Sequence, residues 1–159
     1  MKQLLIFLLL CSLGFSQQIV QTETHEDGYI EVINYYKKKR SSSGGFKIIK
    51  VKSEEYYDSG NLYKVKYFNE DGEQNGPYKS YYENGQLEWE YYFNTDGTRD
   101  GTKKTKRWYE NGQLWYEGYV ITIDEEVEWN GPYKSYYEDG QLKSEKTYKD
   151  GELIDSQEY

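Results

Sequence analysis

The sequence predicts an all-β protein, an elongated single-layer antiparallel meander of stacked β-hairpin repeats. The first reason is a repeated phrase: residues 75–87 read NGPYKSYYENGQL, and residues 130–142 repeat it with Asp139 in place of Asn84. The second reason is composition, because the chain has 20 Tyr and 4 Trp but no alanine. Aromatic residues favour strands, whereas alanine is the best helix former.

Weaker copies of this phrase mark two further repeats, YYDSGNL at residues 56–62 and WYENGQL at residues 108–114. Successive turn glycines are 25, 27 and 28 residues apart, which is typical of a repeat architecture. These glycines are Gly60, Gly85, Gly112 and Gly140. Each follows Ser, Asn or Asp between two strand-like runs. This pattern predicts a type I′ hairpin turn, with positive φ at both central residues.

The predicted turn at residues 84–85 fixes the register of its hairpin. Tyr82 is then expected opposite Leu87, and Ser80 opposite Trp89. Such Tyr–Leu pairs recur in every repeat, as Tyr57–Leu62, Tyr82–Leu87, Tyr109–Leu114 and Tyr137–Leu142. Because apolar side chains on one face of a sheet form its core, we expect these pairs to stack into a continuous ladder.

Residues 1–16 have the three parts of a secretory signal peptide. Lys2 supplies a positive charge, residues 4–13 are almost wholly apolar, and Gly14 and Ser16 are small. The apolar run is shorter than the about 20 residues that span a bilayer. We therefore expect an exported protein in the periplasm, at the cell surface or outside the cell. Cys11 leaves a lipoprotein as an open alternative.

The rest of the chain divides into two parts. Residues 17–45 are expected to form an N-terminal segment, which one interpretation treats as a degenerate repeat, and residues 46–159 form the repeat domain. In the first part, residues 29–36 alternate like a strand. The basic run at residues 37–40 is expected to be a solvated loop.

The net charge and the cysteine count restrict the partners. The formal net charge of −8 disfavours nucleic acid and anionic lipid, because both are negatively charged. Cys11 is the only cysteine, so a chain processed after residue 16 has no disulfide.

No catalytic constellation is visible in the sequence, so we expect the protein not to be an enzyme and to need no cofactor or metal. His25 is the only histidine and is expected in an exposed loop. There is no Gly-x-Ser-x-Gly and no phosphate-binding loop. A hydrolase alternative would rest on Glu88 and Glu90, which are expected on one face of a strand with Glu83 nearby. Such a set is more typical of a solvated face.

Through the motifs YYENGQL and NGPYKSYYEDGQL, residues 43–155 resemble the MORN-repeat family. The closer resemblance is to the bacterial variant repeat, with its Tyr-x-Asn-Gly-x-Leu centre. The resemblance implies an elongated, twisted single-layer sheet of consecutive hairpins. It also implies a role in scaffolding, in partner binding or, for some members, in lipid contact. Many bacterial relatives carry an antitoxin label.

An aromatic stripe is the candidate binding surface. Four of its members precede the ladder tyrosines by one residue, and the predicted register adds Trp115 opposite Trp108 and places Tyr56 opposite Tyr63. The candidate residues are Tyr56, Tyr81, Trp108, Trp115 and Tyr136. Large aromatic side chains among charges are typical of binding surfaces, although cross-strand aromatic pairs also stiffen a sheet. We expect a protein partner or a scaffold role. A glycan-binding module of the cell envelope and an antitoxin-like inhibitor of a partner protein are alternatives.

Overall fold

One antiparallel sheet contains every strand of the protein that the structure describes. The structure is a computed structural model, and it describes residues 4–8, 18–24 and 28–159. Each strand pairs only with its neighbours in sequence, in the order β1 to β12, which confirms the predicted all-β meander. The strands are β1 Leu4–Leu8, β2 Gln18–Thr24, β3 Ile30–Arg40, β4 Phe46–Tyr56, β5 Leu62–Tyr67, β6 Gly76–Tyr81, β7 Leu87–Phe93, β8 Thr105–Trp108, β9 Leu114–Ile123, β10 Glu126–Tyr136, β11 Leu142–Lys149 and β12 Glu152–Glu158. Within these ranges no helix occurs that could span a membrane.

The N-terminal part of the chain joins the same sheet. Strand β1 pairs antiparallel with β2, and β2 pairs with β3. The other residues of the predicted signal peptide lie outside the described residues, as does His25. The signal peptide therefore stays a prediction.

The basic run is part of a strand. Lys37, Lys38, Lys39 and Arg40 end β3 and pair with residues 46–49 of β4, so the predicted loop is wrong. The turn lies beyond them, where the Ser41 N–H donates to the Gly45 carbonyl at 3.1 Å. Pairing with β4 brings Lys38 close to an aromatic ring: its Nζ lies 4.1 Å from the Phe46 ring centroid, which is a cation–π contact.

The repeat turns lie where the sequence predicts them but are of a different type. The Gly85 N–H donates to the Tyr82 carbonyl, and the Tyr82 N–H donates to the Gln86 carbonyl, both at 2.9 Å. Gly85 has φ of +85°, but Asn84 is not in the left-handed region. The turn is therefore type I followed by a G1 bulge, and the predicted type I′ turn is wrong. Turns with positive φ at two successive residues occur instead at residues 44–45, 124–125 and 150–151.

A second bulge follows each repeat turn and restores the expected register. The G1 bulge shifts pairing by one residue, so Tyr81 lies opposite Leu87 and the predicted Tyr82–Leu87 pair is wrong. The extra residue Glu88 reverses this shift, and Ser80 lies opposite Trp89 as predicted. The residues at this bulge in the four repeats are Tyr63, Glu88, Trp115 and Lys143.

Burial in this single layer favours small side chains. The buried apolar residues of the described chain are Ile49, Val65 and Val120. The buried polar residues are small or short: Asn34, Ser53, Ser80, Thr105, Ser135 and Ser144. The leucines of the predicted ladder are only half-buried, so the prediction that Tyr–Leu pairs form the core is wrong. The described strands form one sheet, so its large side chains have no second layer of these strands to cover them. A short side chain is instead covered by its larger neighbours in the sheet.

The turn tyrosines do connect the repeats, through their hydroxyl groups. Tyr57 Oη donates to the Tyr81 carbonyl at 2.7 Å, and Tyr82 Oη donates to the Trp108 carbonyl at 2.8 Å. The next link runs from Tyr109 Oη to the Tyr136 carbonyl at 2.9 Å. Asparagine amides reinforce the same steps by donating to turn carbonyls; these pairs are Asn61–Glu83, Asn84–Glu110 and Asn111–Glu138.

Candidate functional site

Strand alternation gives β6–β11 two different faces. One, which we name the aromatic face, carries most of the rings together with an arginine. Its members by register are Tyr78, Trp89, Tyr91, Arg107, Tyr116, Trp129, Tyr133 and Tyr148. The other, which we name the charged face, carries a cross-strand row of alternating sign. Its members are Lys79, Glu90, Lys106, Glu117, Lys134 and Glu145.

The rings of the aromatic face form one connected set across six strands. Trp89 and Tyr116 meet edge to face, with ring centroids 5.7 Å apart, and Tyr116 meets Trp129 in the same way at 5.6 Å. Trp129 continues to Tyr133 at 4.8 Å, and Tyr133 to Tyr148 at 6.0 Å. Edge-to-face pairs are favourable beyond their buried area, so each ring holds its neighbour in place.

Gly118 leaves room for the centre of this set. A Cβ at this buried glycine would lie 2.9 Å from Cζ3 of Trp129 and 3.2 Å from Cδ2 of Tyr133. Strand β10 makes the approach possible, because its register to β9 shifts between these two residues. The irregular strand brings both rings over the space where another residue would have a side chain.

Two arginines lie among the rings. The Arg107 Cζ is 4.7 Å from the Trp89 centroid and 4.5 Å from the Trp115 centroid. Its Nη2 also forms an ion pair with Glu88 at 3.2 Å. Arg99 Cζ lies only 3.1 Å from the Tyr91 centroid, which is the separation of a flat stack. Both guanidinium groups therefore make cation–π contacts.

Tyr91 is enclosed on both sides. Tyr78 stacks on it with centroids 4.3 Å apart and planes 10° apart. Arg99 must occupy the opposite ring face, because a guanidinium directly over the ring at 3.1 Å would collide with a parallel ring on the same side. With Trp89, these three side chains line a shallow cavity of about 180 Å³.

Burial sets the protonation of this surface. It raises the pKa of Tyr116 to about 12, although the nearby Arg107 charge opposes the shift. Burial also raises the pKa of Tyr78 and of Tyr133, and it lowers the pKa of Arg99. At neutral pH the phenols are therefore protonated hydrogen-bond donors, and the arginine is still a cation.

Ion pairs neutralise much of the charged face. Lys79 Nζ lies 2.9 Å from Glu90 Oε1, and Lys106 Nζ lies 3.9 Å from Glu117 Oε2. Lys104 also reaches Glu117 at 2.7 Å, and Lys134 pairs with Glu145. Exposed pairs of this kind contribute little stability and stay well hydrated.

The structure divides the five predicted binding residues between the two faces. Tyr81, Trp108 and Tyr136 each lie two residues after a lysine of the charged face, which puts them on that face; these lysines are Lys79, Lys106 and Lys134. Tyr56 has the equivalent position at the end of β4. Trp115 instead stacks on Tyr109, with centroids 5.1 Å apart, and contacts Arg107 on the aromatic face. All five side chains are half-buried.

The predicted cross-strand pairs of this stripe are wrong. Trp108 lies opposite Leu114, and Trp115 is the extra residue of a bulge. Tyr56 likewise lies opposite Leu62, and its hydroxyl donates to Glu54 at 3.0 Å. The one-residue shift of the G1 bulge explains both errors.

Sequence reasoning missed the aromatic face as a site because it treated the apolar face as a covered core. Two signals were available. A predicted single layer leaves both faces open, and arginines at positions 99 and 107 do not belong in a closed apolar core.

The candidate carboxylates of the hydrolase alternative are separated by the second bulge. Glu88 pairs with Arg107 and accepts a hydrogen bond from Ser80 Oγ at 3.2 Å, on the aromatic face. Glu90 pairs with Lys79 on the charged face. The prediction that they share a face is therefore wrong. Over the described ranges, no group of His, Cys, Asp and Glu side chains is arranged to hold a metal ion.

Comparison with known families matches the strands that carry the aromatic face. Residues 74–95, 102–121 and 129–150 each match the family model described as MORN repeat variant. The copy at residues 56–62 lies outside these matches but has the same turn hydrogen bonds. A search of curated proteins gave no match.

Proposed function

We propose, from the premise that this chain belongs to the MORN-repeat family, that it is an exported, non-enzymatic module which binds a protein partner through its aromatic face. MORN repeats are typically modules that bind proteins or membranes. The choice of a protein partner, of this face and of an exported location goes beyond the family and is argued below.

The observation that carries the proposal is the uncovered, connected set of rings on β6–β11. Trp, Tyr and Arg are the residues most often found at the energetic centres of protein interfaces. Here the rings are already fixed by edge-to-face contacts, such as Trp89 with Tyr116 and Trp129 with Tyr133. Binding would therefore order few side chains, which lowers its entropic cost.

The charged face fits a protein partner less well. Lysine and glutamate are depleted in interfaces, and those of this face already pair with each other, as Lys79 does with Glu90. A partner would have to displace water from these ion pairs, and its own groups would offer the lysines and glutamates no better contact than the one they already have. The four aromatic residues predicted on this face remain the second surface to test.

The geometry favours protein over glycan. A sugar ring stacks on an open aromatic face, but the faces of Tyr91 are taken by Tyr78 and Arg99. Trp115 is contacted by Tyr109 and Arg107 in a similar way. The antitoxin-like alternative rests on a family label alone.

The remaining parts of the proposal rest on sequence. Export rests on the signal-like residues 1–16. The non-enzymatic role rests on the lack of a recognisable catalytic motif, together with the ion pairs that Glu88 and Glu90 form with basic neighbours.

Site-specific photo-crosslinking tests the proposed face. Neighbouring residues of one strand provide a matched pair: a photoreactive phenylalanine replaces Tyr78 on the aromatic face or Lys79 on the charged face. Each protein is irradiated with an envelope fraction from the source organism. We expect a discrete protein adduct at position 78 and none at position 79.

Three results would contradict the proposal. Adducts at position 79 alone would move the site to the charged face. No adduct at either position, with both proteins folded by circular dichroism, would remove the claim of a protein partner. Adducts formed equally by an unfolded control would show that the rings capture proteins nonspecifically.

A further inference from the structure

We propose that Arg99 and the rings around it form a pocket for a carboxylate, which an acidic side chain of the protein partner would supply. This inference rests on the proposed function and names the chemistry of the partner at one point of the face. The pocket is the cavity of about 180 Å³ lined by Tyr78, Trp89, Tyr91 and Arg99.

The first argument is the orientation of the guanidinium. Arg99 lies flat on Tyr91, with its Cζ 3.1 Å from the ring centroid. The N–H donors of a guanidinium lie in its own plane, so stacking leaves them directed sideways. A planar fork of donors matches the two oxygen atoms of a carboxylate.

The second argument is that Arg99 lacks an anion. No carboxylate of the described residues lies within 4.0 Å of its guanidinium, and its buried Nη1 has no hydrogen-bond partner in the protein. Arg107, by contrast, pairs with Glu88 at 3.2 Å. A buried donor without a partner is destabilising. Nη1 is shielded from solvent, so a carboxylate would reach it only with a small movement of the guanidinium, and that pairing would remove the penalty.

The third argument is that the backbone of Arg99 is fixed. Its N–H donates to Thr122 Oγ1 at 3.3 Å, and its carbonyl accepts from Asn94 Nδ2 at 3.2 Å. It also forms an isolated antiparallel bridge with Phe93. These contacts, with Phe93 and Asn94 on one side and Thr122 on the other, fix the backbone from which the Arg99 side chain reaches the rings.

Arg99 also lies between two of the matched repeats, at residues 96–101, and is not part of either match. It is therefore a feature of this chain's connection between repeats. A pocket built there would distinguish its partner from those of other repeat proteins.

Charge and lining restrict the partner further. The chain carries a net charge of −8, so a strongly acidic segment would be repelled at long range. The pocket walls are rings, which favour apolar or aromatic neighbours. The expected partner segment has one Asp or Glu flanked by apolar or aromatic residues.

Displayed random peptides of about twelve residues serve as the probe. They are selected in parallel on the full chain, on Arg99→Gln and on Arg40→Gln. Arg40 is an exposed arginine at the end of β3 and is the matched control. We expect the wild type and the control to enrich peptides with an isolated acid beside aromatic residues, and Arg99→Gln to lose them.

Direct binding measurements then separate the two claims, which are that the aromatic face binds a protein and that Arg99 binds a carboxylate. A synthetic selected peptide should bind at least 10-fold more weakly to Arg99→Gln, and its Glu→Gln version should bind equally weakly to wild type. If peptides compete at the aromatic face but bind Arg99→Gln unchanged, the carboxylate pocket is wrong and the proposed function stands. If no peptide depends on the aromatic face, both fail. Preferential binding of oligomeric uronic acids would overturn the choice of a protein as the source of the carboxylate.

Thermal unfolding distinguishes a ligand role from a structural one. Arg99→Met keeps an apolar side chain at this position but removes the charged guanidinium that lies over Tyr91. We expect its unfolding temperature to equal or exceed that of wild type while peptide binding is lost. A lower unfolding temperature would assign Arg99 to the fold and overturn its role as a binding residue.

Discussion

At Gly118 the aromatic face depends on the absence of a side chain. We expect Gly118→Ala to lower the free energy of unfolding by about 1–3 kcal/mol, because a Cβ would lie 2.9 Å from the Trp129 ring. Urea unfolding followed by tryptophan fluorescence measures this loss. The emission of Trp129 should also shift, since the ring must move.

Trp129→Phe provides the control for this clash. The contacting atoms belong to the six-membered ring of the indole. A phenylalanine side chain is shorter and does not reach as far as this ring. We expect the double variant to lose less stability than the two single variants added together. Strict additivity would mean that Gly118 acts through something other than this contact.

The acid stability of the sheet depends on Glu54. Burial raises the pKa of this carboxyl, but hydrogen bonds from Lys52, Tyr35 and Tyr56 outweigh burial, so the net pKa is lowered. A lowered folded-state pKa contributes stability that is present above the unfolded value of about 4.3. That stability is lost as pH falls from there through the folded pKa.

We therefore expect Glu54→Gln to flatten the pH dependence of unfolding. Below the folded pKa of Glu54 the difference between wild type and variant should shrink, because the wild-type carboxyl is then protonated as well. Thermal unfolding between about pH 6 and pH 2.5 measures it. Glu70 is a suitable control, since its ion pair with Lys39 is exposed. Equal slopes for wild type and Glu54→Gln would exclude this cluster as an acid-sensitive contributor.

At the scale of the hairpin, the position of each turn could be predicted but its type could not. Asn-Gly suits a type I′ turn, and it equally suits a type I turn that ends in a glycine with positive φ. The second bulge carries four different residues in four repeats, from Glu88 to Trp115, so it leaves no compositional signal. The two bulges cancel, which is why the register beyond them agrees with the sequence.

The hydrogen bonds of the turn tyrosines predict that a Tyr→Phe substitution affects the free energy of unfolding differently in different repeats. Tyr82→Phe removes the hydrogen bond to the Trp108 carbonyl and should lower the free energy of unfolding by about 0.5–1.5 kcal/mol. Tyr137 has the equivalent position in the last repeat, where its side chain is 44% exposed. Tyr137→Phe should change stability by less than about 0.5 kcal/mol. Chemical denaturation of both variants tests this, and equal losses would contradict a role for the hydroxyl in joining repeats.

At the scale of the whole molecule, the single-layer architecture explains why the fold could be predicted from the sequence and why the site could not. Repeat spacing and aromatic content suffice for the meander, because each hairpin pairs only with its sequence neighbours. The site depends on contacts between repeats, such as Arg99 on Tyr91 and Trp129 over Gly118. These contacts follow from irregular strands and connections, which have no period to detect.

Nearest-neighbour pairing predicts that whole repeats can be removed. Deleting residues 75–129 joins Gln74 to Asn130 and leaves Gly140 25 residues after Gly60, the present spacing of Gly60 and Gly85. Ser135 would then take the place of Ser80 opposite Lys64. We expect a folded, cooperative sheet that is less stable by about 3–8 kcal/mol, at about 0.05–0.15 kcal/mol per residue lost. Far-UV circular dichroism must follow the unfolding, because all 4 Trp lie within the deletion.

A deletion out of phase is the decisive control. Removing residues 75–116 retains more of the chain but leaves Gly140 38 residues after Gly60, which matches no repeat spacing. Residues 117–123 of β9 would then follow β5 directly and keep their pairing with β10. They run in the same direction as β5, however, so they could not form an antiparallel hairpin with it, and Trp129 and Tyr133 would lack the ring of Tyr116. We expect this longer chain to unfold without cooperativity or to aggregate. If it were instead as stable as the in-phase deletion, the phase of the repeats would not determine strand pairing, since length alone would account for the stability of both.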